Sequence, residues 1–278
     1  MAGPERQQTE EAAVPSWTAD AVTAAAADWV WLPPEAEQVR TDDYLLIAYP
    51  MHLQHPTQVV RSASVRPAGD LIDEVTARVR EWHRDRVWWW IRADTRPEDT
   101  EAVLQARGGT LAETVRVLAY DLSAGLPDLE LPGDPAGLRA ELVRDEATLA
   151  DSVRVNDEVW DERKERTRTD VARELADIRA ELASWSGYRV VVYAHGEPAA
   201  TGGCTIVDGV ARLWGAGARP AFRGLGAYRV LLATRVGLAR EHGATLALVK
   251  GRVETSAPIL RRAGFTEYGE ERSYRLPV

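Results

Sequence analysis

The feature that most constrains this chain is that its two halves echo each other. Val65-Arg66-Pro67 precedes a long amphipathic helix predicted over 70–82, in which Leu71, Val75, Val79 and Trp82 recur at helical spacing. Ala218-Arg219-Pro220 precedes a second, over about 226–242, carrying Tyr228, Leu231, Leu232, Val236 and Ala239 on one face. Each helix leads to an apolar run, 87–91 or 245–249, of the kind that is buried on both faces of a sheet. Short helices follow at 97–107 and 256–263, where Glu98, Leu104 and Gly108 match Glu254, Leu260 and Gly264 in step. Both lead into strands, at 113–122 and 267–276. The recurrence points to a tandem duplication, although coincidence of fold stays open on one sequence.

The elements around this frame follow from local signals. An alanine-rich helix is predicted over 17–31, with Ser16 or Thr18 as its cap and Pro33-Pro34 as its stop. Strands are expected at 44–49 and 59–65. In the second half come a strand at 136–143, helices at 146–160 and 170–185, and strands at 188–194, 199–207 and 210–215, the last two joined by an Asp208-Gly209 turn. The stretch 123–135, rich in proline and glycine, separates the halves. The expected division is therefore a flexible tail at 1–16, a first domain at 17–124, a linker at 125–135 and a second domain at 136–278.

Composition narrows the function classes. Across 278 residues, 45% are hydrophobic, too many for a disordered chain. The formal net charge of −9 leaves no basic surplus for non-specific binding of nucleic acid. A single cysteine, Cys204, rules out an internal disulfide or a multi-thiolate metal centre. His52 and His55 share a loop without a visible third ligand, so no metal is expected. The polar start lacks the apolar core of a signal peptide, and no apolar run is long enough to span a bilayer. A cytoplasmic location is the expectation, with no membrane or nucleic-acid partner and the oligomeric state open.

The stretch from Ala216 to Leu232 carries the chemistry. A strand enters it, glycines turn it and a helix leaves it. Gly224 and Gly226 let the backbone approach an anion closely, the helix adds its positive N-terminal end, and Arg223 adds a full charge. Together these suit a pyrophosphate, while a lone Gly-x-Gly also fits an ordinary strand–helix turn.

The run Arg223-Gly224-Leu225-Gly226-Ala227-Tyr228 resembles the cofactor loop of the GNAT family of N-acetyltransferases, Arg/Gln-x-x-Gly-x-Gly/Ala, with Tyr228 in place of the last small residue. The segment from Thr255 to Phe265 resembles the family's late helix ending in Gly-Phe, and the element order from Ala136 to Val278 fits as well. The resemblance implies an α/β protein of two GNAT-like domains in tandem, each a mixed central sheet flanked by helices. It implies acetyl-CoA as co-substrate, held by Ala216, Gly217 and Ala218 along the pantetheine arm. Arg223, Gly224, Leu225, Gly226, Ala227 and Tyr228 would sit at the pyrophosphate, and Ser256 nearby. In the first half only Ala68-Gly69-Asp70 separates Arg66-Pro67 from the helix. Asp70, expected to cap that helix, would put a carboxylate where a phosphate goes, so this half is expected to be degenerate and without CoA.

Acid, base and acceptor are less determined. The family often places a tyrosine in the late helix, where this chain has Leu260 and Arg261. Tyr228, Tyr268 or Tyr274 are substitutes, each more readily read as a packing residue, and a thiolate also leaves without an acid. Tyr268 and Glu158 are carried forward as the acid and base candidates. Asp157, Glu158, Asp161 and Glu162 cluster around Trp160, and with Glu254 they are the carboxylates on offer. Asp157, Trp160 and Asp161 would form an acidic, aromatic wall suited to a small cationic amine, or simply a solvated helix face with one core tryptophan. The expected activity is direct transfer of an acetyl group from acetyl-CoA to a primary amine in a ternary complex. Its rivals are transfer from another acyl-CoA and a non-catalytic CoA-binding sensor.

Overall fold

The computed structural model describes residues 17–129, 131, 137–160 and 166–278. The tail 1–16, much of the linker, and Asp161 and Glu162 lie outside the described residues. In chain order the first half holds α1 (Ala19–Ala27), β1 (Glu37–Arg40), β2 (Tyr44–Ala48), β3 (Thr57–Ser62), α2 (Ala68–Glu81), β4 (Arg86–Ile91), α3 (Thr100–Ala106) and β5 (Thr110–Asp121). The second holds β6 (Arg139–Leu142), α4 (Glu146–Trp160), α5 (Arg168–Ser184), β7 (Gly187–Ala194), β8 (Glu197–Val207), β9 (Val210–Ala218), α6 (Ala227–Glu241), β10 (Leu246–Arg252), α7 (Ser256–Arg262) and β11 (Thr266–Pro277).

Most elements fall where local pattern puts them, and the departures have physical causes. Thr18 caps α1 by accepting from the Ala21 amide, but the helix ends at Ala27 instead of running on to Trp31. Its bulky continuation leaves to pack on the sheet: Trp29 joins the cluster around Val117 and Leu248, and Trp31 stacks on Tyr49 at 5.6 Å. α2 begins at Ala68, with Pro67 at the N-cap, so Asp70 lies in its first turn and does not cap it as expected. The carboxylate still favours the helix through the dipole. β1 was not expected, because a short polar edge strand has no apolar alternation to announce it; it pairs with β2 from Glu37↔Ala48 to Arg40↔Leu45.

The described strands form one sheet in the order β1-β2-β3-β4-β11-β5-β10-β9-β8-β7-β6. Only β3–β4 and β9–β10 pair in parallel. At the centre, the last strand of each half lies within the other: β11 pairs with β4, β5 pairs with β10, and β5 and β11 pair with each other. The expectation of a separate central sheet in each half is therefore corrected to one continuous sheet. The cores confirm the exchange at side-chain level. Tyr274 and Leu276 of β11 are buried with Leu71, Val75 and Val79 of α2, whereas Leu118 of β5 is buried with Leu231, Leu232 and Val236 of α6. At about 1.5–3 kcal/mol for each large apolar side chain buried, neither half keeps its core without the other's strand. A polar tie reinforces it: Arg272 of β11 donates twice to Glu101 of α3, each bond at 2.7 Å.

Candidate active site

β9 and β10 pair only from Leu246↔Val210 to Val249↔Leu213. Beyond that point β9 runs on to Ala218 and β10 to Arg252 with no pairing between them, so the sheet opens into a V. The cause lies on the other edge of β9. Its register with β8 slips between Thr201↔Gly217 and Gly203↔Trp214, and Gly215 sits at φ 60°, a bulge that bends β9 away. Two glycines let neighbours close over the bend. A Cβ on Gly203 would come within 2.2 Å of the Trp214 ring, and one on Gly217 within 2.5 Å of Val159 at the end of α4.

The opening continues as a cleft of about 1030 Å³. Ala216, Gly217, Ala218, Arg223, Gly224, Gly226, Ala227, Tyr228 and Ser256 all lie in its wall, so the structure brings these residues together around one cleft. Leu225 is the departure: its side chain is 40% exposed and outside the wall. Gly224 and Gly226 have φ of 80° and 89°, and Gly226 caps α6 without a side chain. No acidic residue occupies the first turn of α6, so its leading amides face no carboxylate from their own helix. Arg223, Arg229 and Arg262 stand around this end of the cleft. Positive φ, uncapped amides and surrounding cations together make an anion receptor.

In the first half the matching strands are β3 and β4. There the continuations of β3 and β4 are stitched together by an Ala63–Arg96 bridge, with the Ser64 amide donating to Arg96 O at 3.2 Å and the Arg96 amide to Ser62 O at 3.0 Å. Arg66 is bound to Asp43 and Glu74.

The other arm of the cleft is built largely by the first half. Trp29, Trp90, Glu113 and Val115 line it together with Trp160, Lys250 and Arg252. Arg252 donates to Glu113 at 2.5 Å, and its guanidinium lies 4.7 Å from the centre of the Trp160 ring. No sequence signal marked Glu113, since only the strand exchange brings β5 beside β10.

A side pocket of about 260 Å³ adjoins the cleft and shares Trp160, Trp214 and Gly215 with it. Ser152, Asn156 and Asp157 from α4 line it, with Arg166, Arg189, Thr201, and His52 and Leu53 from the first half. Glu174 of α5 accepts from Arg189 at 2.5 Å and also from Arg166. Burial opposes its charge, but the two guanidiniums prevail and hold the carboxyl below its usual range. The Arg189 guanidinium also lies 5.5 Å from the Trp214 ring centre. The two arginines were not anticipated; nothing in the local pattern around Arg166 or Arg189 distinguishes them from surface charges.

Several other candidates are placed elsewhere. Tyr268 packs against the cluster of Val117, Leu246 and Leu248, away from the cleft wall. Tyr274 donates to Glu101 at 2.7 Å within the other core. Glu158 is held by Arg219 at 2.6 Å and lines neither cavity, and Glu254 is exposed. Of the tyrosines considered, Tyr228 alone is in the wall; burial raises its pKa, partly offset by the nearby Arg235 guanidinium. Arg235 is itself fully buried, donating to the carbonyl oxygen of Gly203 at 3.1 Å. Cys204, within β8, is buried, and burial pushes its thiol up to about 11. Among the described residues no group of His, Cys, Asp and Glu is arranged to hold a metal ion, and no helix is long and apolar enough to cross a membrane.

A family model described as an acetyltransferase (GNAT) domain matches residues 132–252, the segment that contains the V and the loop. The matched segment corresponds to a GNAT acetyltransferase domain. The chain is accordingly an acyl-CoA-dependent acyltransferase. Solved structures share the fold over nearly the whole chain. A GCN5-related N-acetyltransferase from Kribbella flavida superposes with a TM-score of 0.65 at 18% identity, covering 94% of this chain and 95% of that one. One from Sphaerobacter thermophilus gives 0.61 at 18% identity, covering 92% and 84%. A tandem GNAT protein from the clavulanic acid biosynthesis pathway gives 0.56 at 15% identity, covering 89% and 85%. No curated protein matches the sequence. The GNAT match ends at Arg252, so α7 and the exchanged strand β11 lie beyond it.

Proposed function

We propose that the protein transfers an acetyl group from acetyl-CoA directly to the amine of a small molecule, and that its two halves are GNAT-like units of which only the second binds CoA. The observation that carries this reading is the coincidence of the β9–β10 V with the uncapped, acid-free start of α6 at its mouth. The residues fit the co-substrate. Ala216, Gly217 and Ala218 offer unpaired strand edge to a pantetheine amide chain, and the amides from Gly224 to Tyr228 offer donors to a pyrophosphate. Bound there, acetyl-CoA supplies an activated carbonyl and a thiolate leaving group.

The chain's own part is orientation, polarisation and proton handling. The bulge at Gly215 and Ala216 lies where the strands part, and backbone amides there are suited to polarising a carbonyl oxygen. Tyr228, kept protonated by burial, is the proton donor favoured by its place in the wall. Glu158 and Tyr268 are set aside for the reasons of placement given above. The stitched strand ends around Ala63 and Arg96 and the ion-paired Arg66 support a first half without CoA. Its contribution is to wall the acceptor side with Trp29, Trp90 and Glu113. A cationic acceptor is not favoured by the side pocket, where Arg166 and Arg189 face the same space as Asp157.

Calorimetric titration with acetyl-CoA tests the reading. One molecule bound per chain, followed by thiol release when a suitable amine is added, is the expected result. Two molecules per chain would overturn the inactive first half, and no binding would overturn the whole proposal.

A further inference from the structure

We infer that the acceptor is an amino acid, its carboxylate held by Arg166 and Arg189 in the side pocket and its amine directed through Asn156 and Asp157 toward the opening at Gly215. The inference rests on the transferase reading for its chemistry and on the pocket's unmet hydrogen bonds for its substrate.

The polar inventory of the pocket is unbalanced in a specific way. Glu174 takes one Nη1 donor from each arginine. The Nε atoms of Arg166 and Arg189 are both buried and have no partner among the described residues. A guanidinium has several donors and no acceptor, so what these two lack is an acceptor, and a carboxylate suits their planar geometry. Arg189 is already fixed between the Trp214 ring and Glu174, so little ordering remains to be done on binding. At the α4 side the shortage is reversed. Asn156 Oδ1 is buried without a donor, and Asp157 beside it brings a further acceptor. An amine meets that need. Ser152 and Thr201 do not compete, because their hydroxyls bond to each other at 2.9 Å and Thr201 donates to Val190 O.

A ligand carrying a carboxylate and an amine satisfies both ends at once, whereas a plain cationic amine leaves two buried guanidinium donors unmet. The pocket's volume of about 260 Å³ limits the ligand to a small one. Because Trp160, Trp214 and Gly215 belong to both cavities, an amine here meets the cleft at the point where β9 bulges. In the reaction the amine nitrogen bonds to the thioester carbonyl carbon. The carbon–sulfur bond breaks, its electron pair goes to sulfur, and the proton lost by nitrogen ends on that sulfur or on water, giving an N-acetyl amino acid and CoA.

The test compares amino acids with their decarboxylated amines, by calorimetry on the CoA-loaded protein and by thiol release with acetyl-CoA. At least one amino acid is expected to bind ~10-fold or more tightly than its decarboxylated partner. Arg189→Gln and, independently, Arg166→Gln are expected to abolish that preference while leaving acetyl-CoA affinity unchanged. The inference is overturned when no amino acid binds, or when the decarboxylated amines bind equally well. Amino-acid binding without thiol release would instead overturn the transferase reading and leave the ligand class standing, so the two failures are distinguishable.

Discussion

Gly217 and Val159 meet so closely that a methyl group on the glycine would lie 2.5 Å from Val159 Cγ1. The contact locks the end of α4, which carries the acceptor-side Asn156, Asp157 and Trp160, onto the strand that lines the cleft. Side pocket and cleft are thereby kept in register by one missing side chain.

Gly217→Ala is expected to push α4 outward, costing about 1–3 kcal/mol by overpacking and lowering turnover. Val159→Ala in the same chain makes room for the added methyl and is expected to restore much of both. Urea denaturation and initial rates on the two single variants and the double variant measure the coupling. Additive losses would show that the contact does not set the geometry.

Gly226 has a φ of 89° and caps α6 with no side chain. Gly226→Glu adds left-handed strain of about 1–2 kcal/mol and a carboxylate at the helix start. Acetyl-CoA affinity is expected to fall at least ~10-fold, and less in Gly226→Asn, which tolerates the conformation without the charge. Titration calorimetry checks the order; equal effects would assign the loss to strain alone.

The exchanged strand β11 is tied to the first half by Glu101, which accepts from Arg272 twice and from Tyr274, each at 2.7 Å. These bonds, chiefly those from Arg272, hold the Glu101 carboxyl below its usual range. With a folded pKa below the unfolded one, the stabilisation is present above the unfolded value near ~4.3 and is lost as pH falls through the folded value. Glu101→Gln is expected to cost about 1–2 kcal/mol at neutral pH and to flatten the acid limb of the stability profile. Urea midpoints from pH 3 to 7 read both effects. An unchanged acid limb would remove Glu101 from the account.

Cys204 is fully buried, and its thiol is pushed up to about 11, chiefly by burial. It is expected to resist N-ethylmaleimide at pH 8 in the folded chain and to react once urea unfolds it, as intact mass spectrometry would show. Cys204→Ala should keep acetyl transfer, in line with direct attack by the amine; a complete loss of turnover in a folded variant would point to an acyl-cysteine route.

The sequence by itself determined the features that local chemistry fixes. Helical spacing gave α2 and α6, and Gly224 and Gly226 announced the left-handed turn into α6, because these depend on neighbouring residues alone. The tertiary structure decided what depends on pairing across the chain. Stretches such as 113–122 and 267–276 read as strands without saying which strand each one joins, and the pairing of β5 with β10 and β11 with β4 is what brings Glu113 and Trp90 into the cleft. Glu158 illustrates the same limit: its spacing beside Trp160 suggested an acceptor wall, but Arg219 reaches it from 61 positions away and takes it out of play. Arg166 and Arg189 read as ordinary charges until α5 brings Glu174 between them and the β9 bulge opens the space they face. A side chain's chemistry is written in the sequence, but its partners are chosen by the sheet.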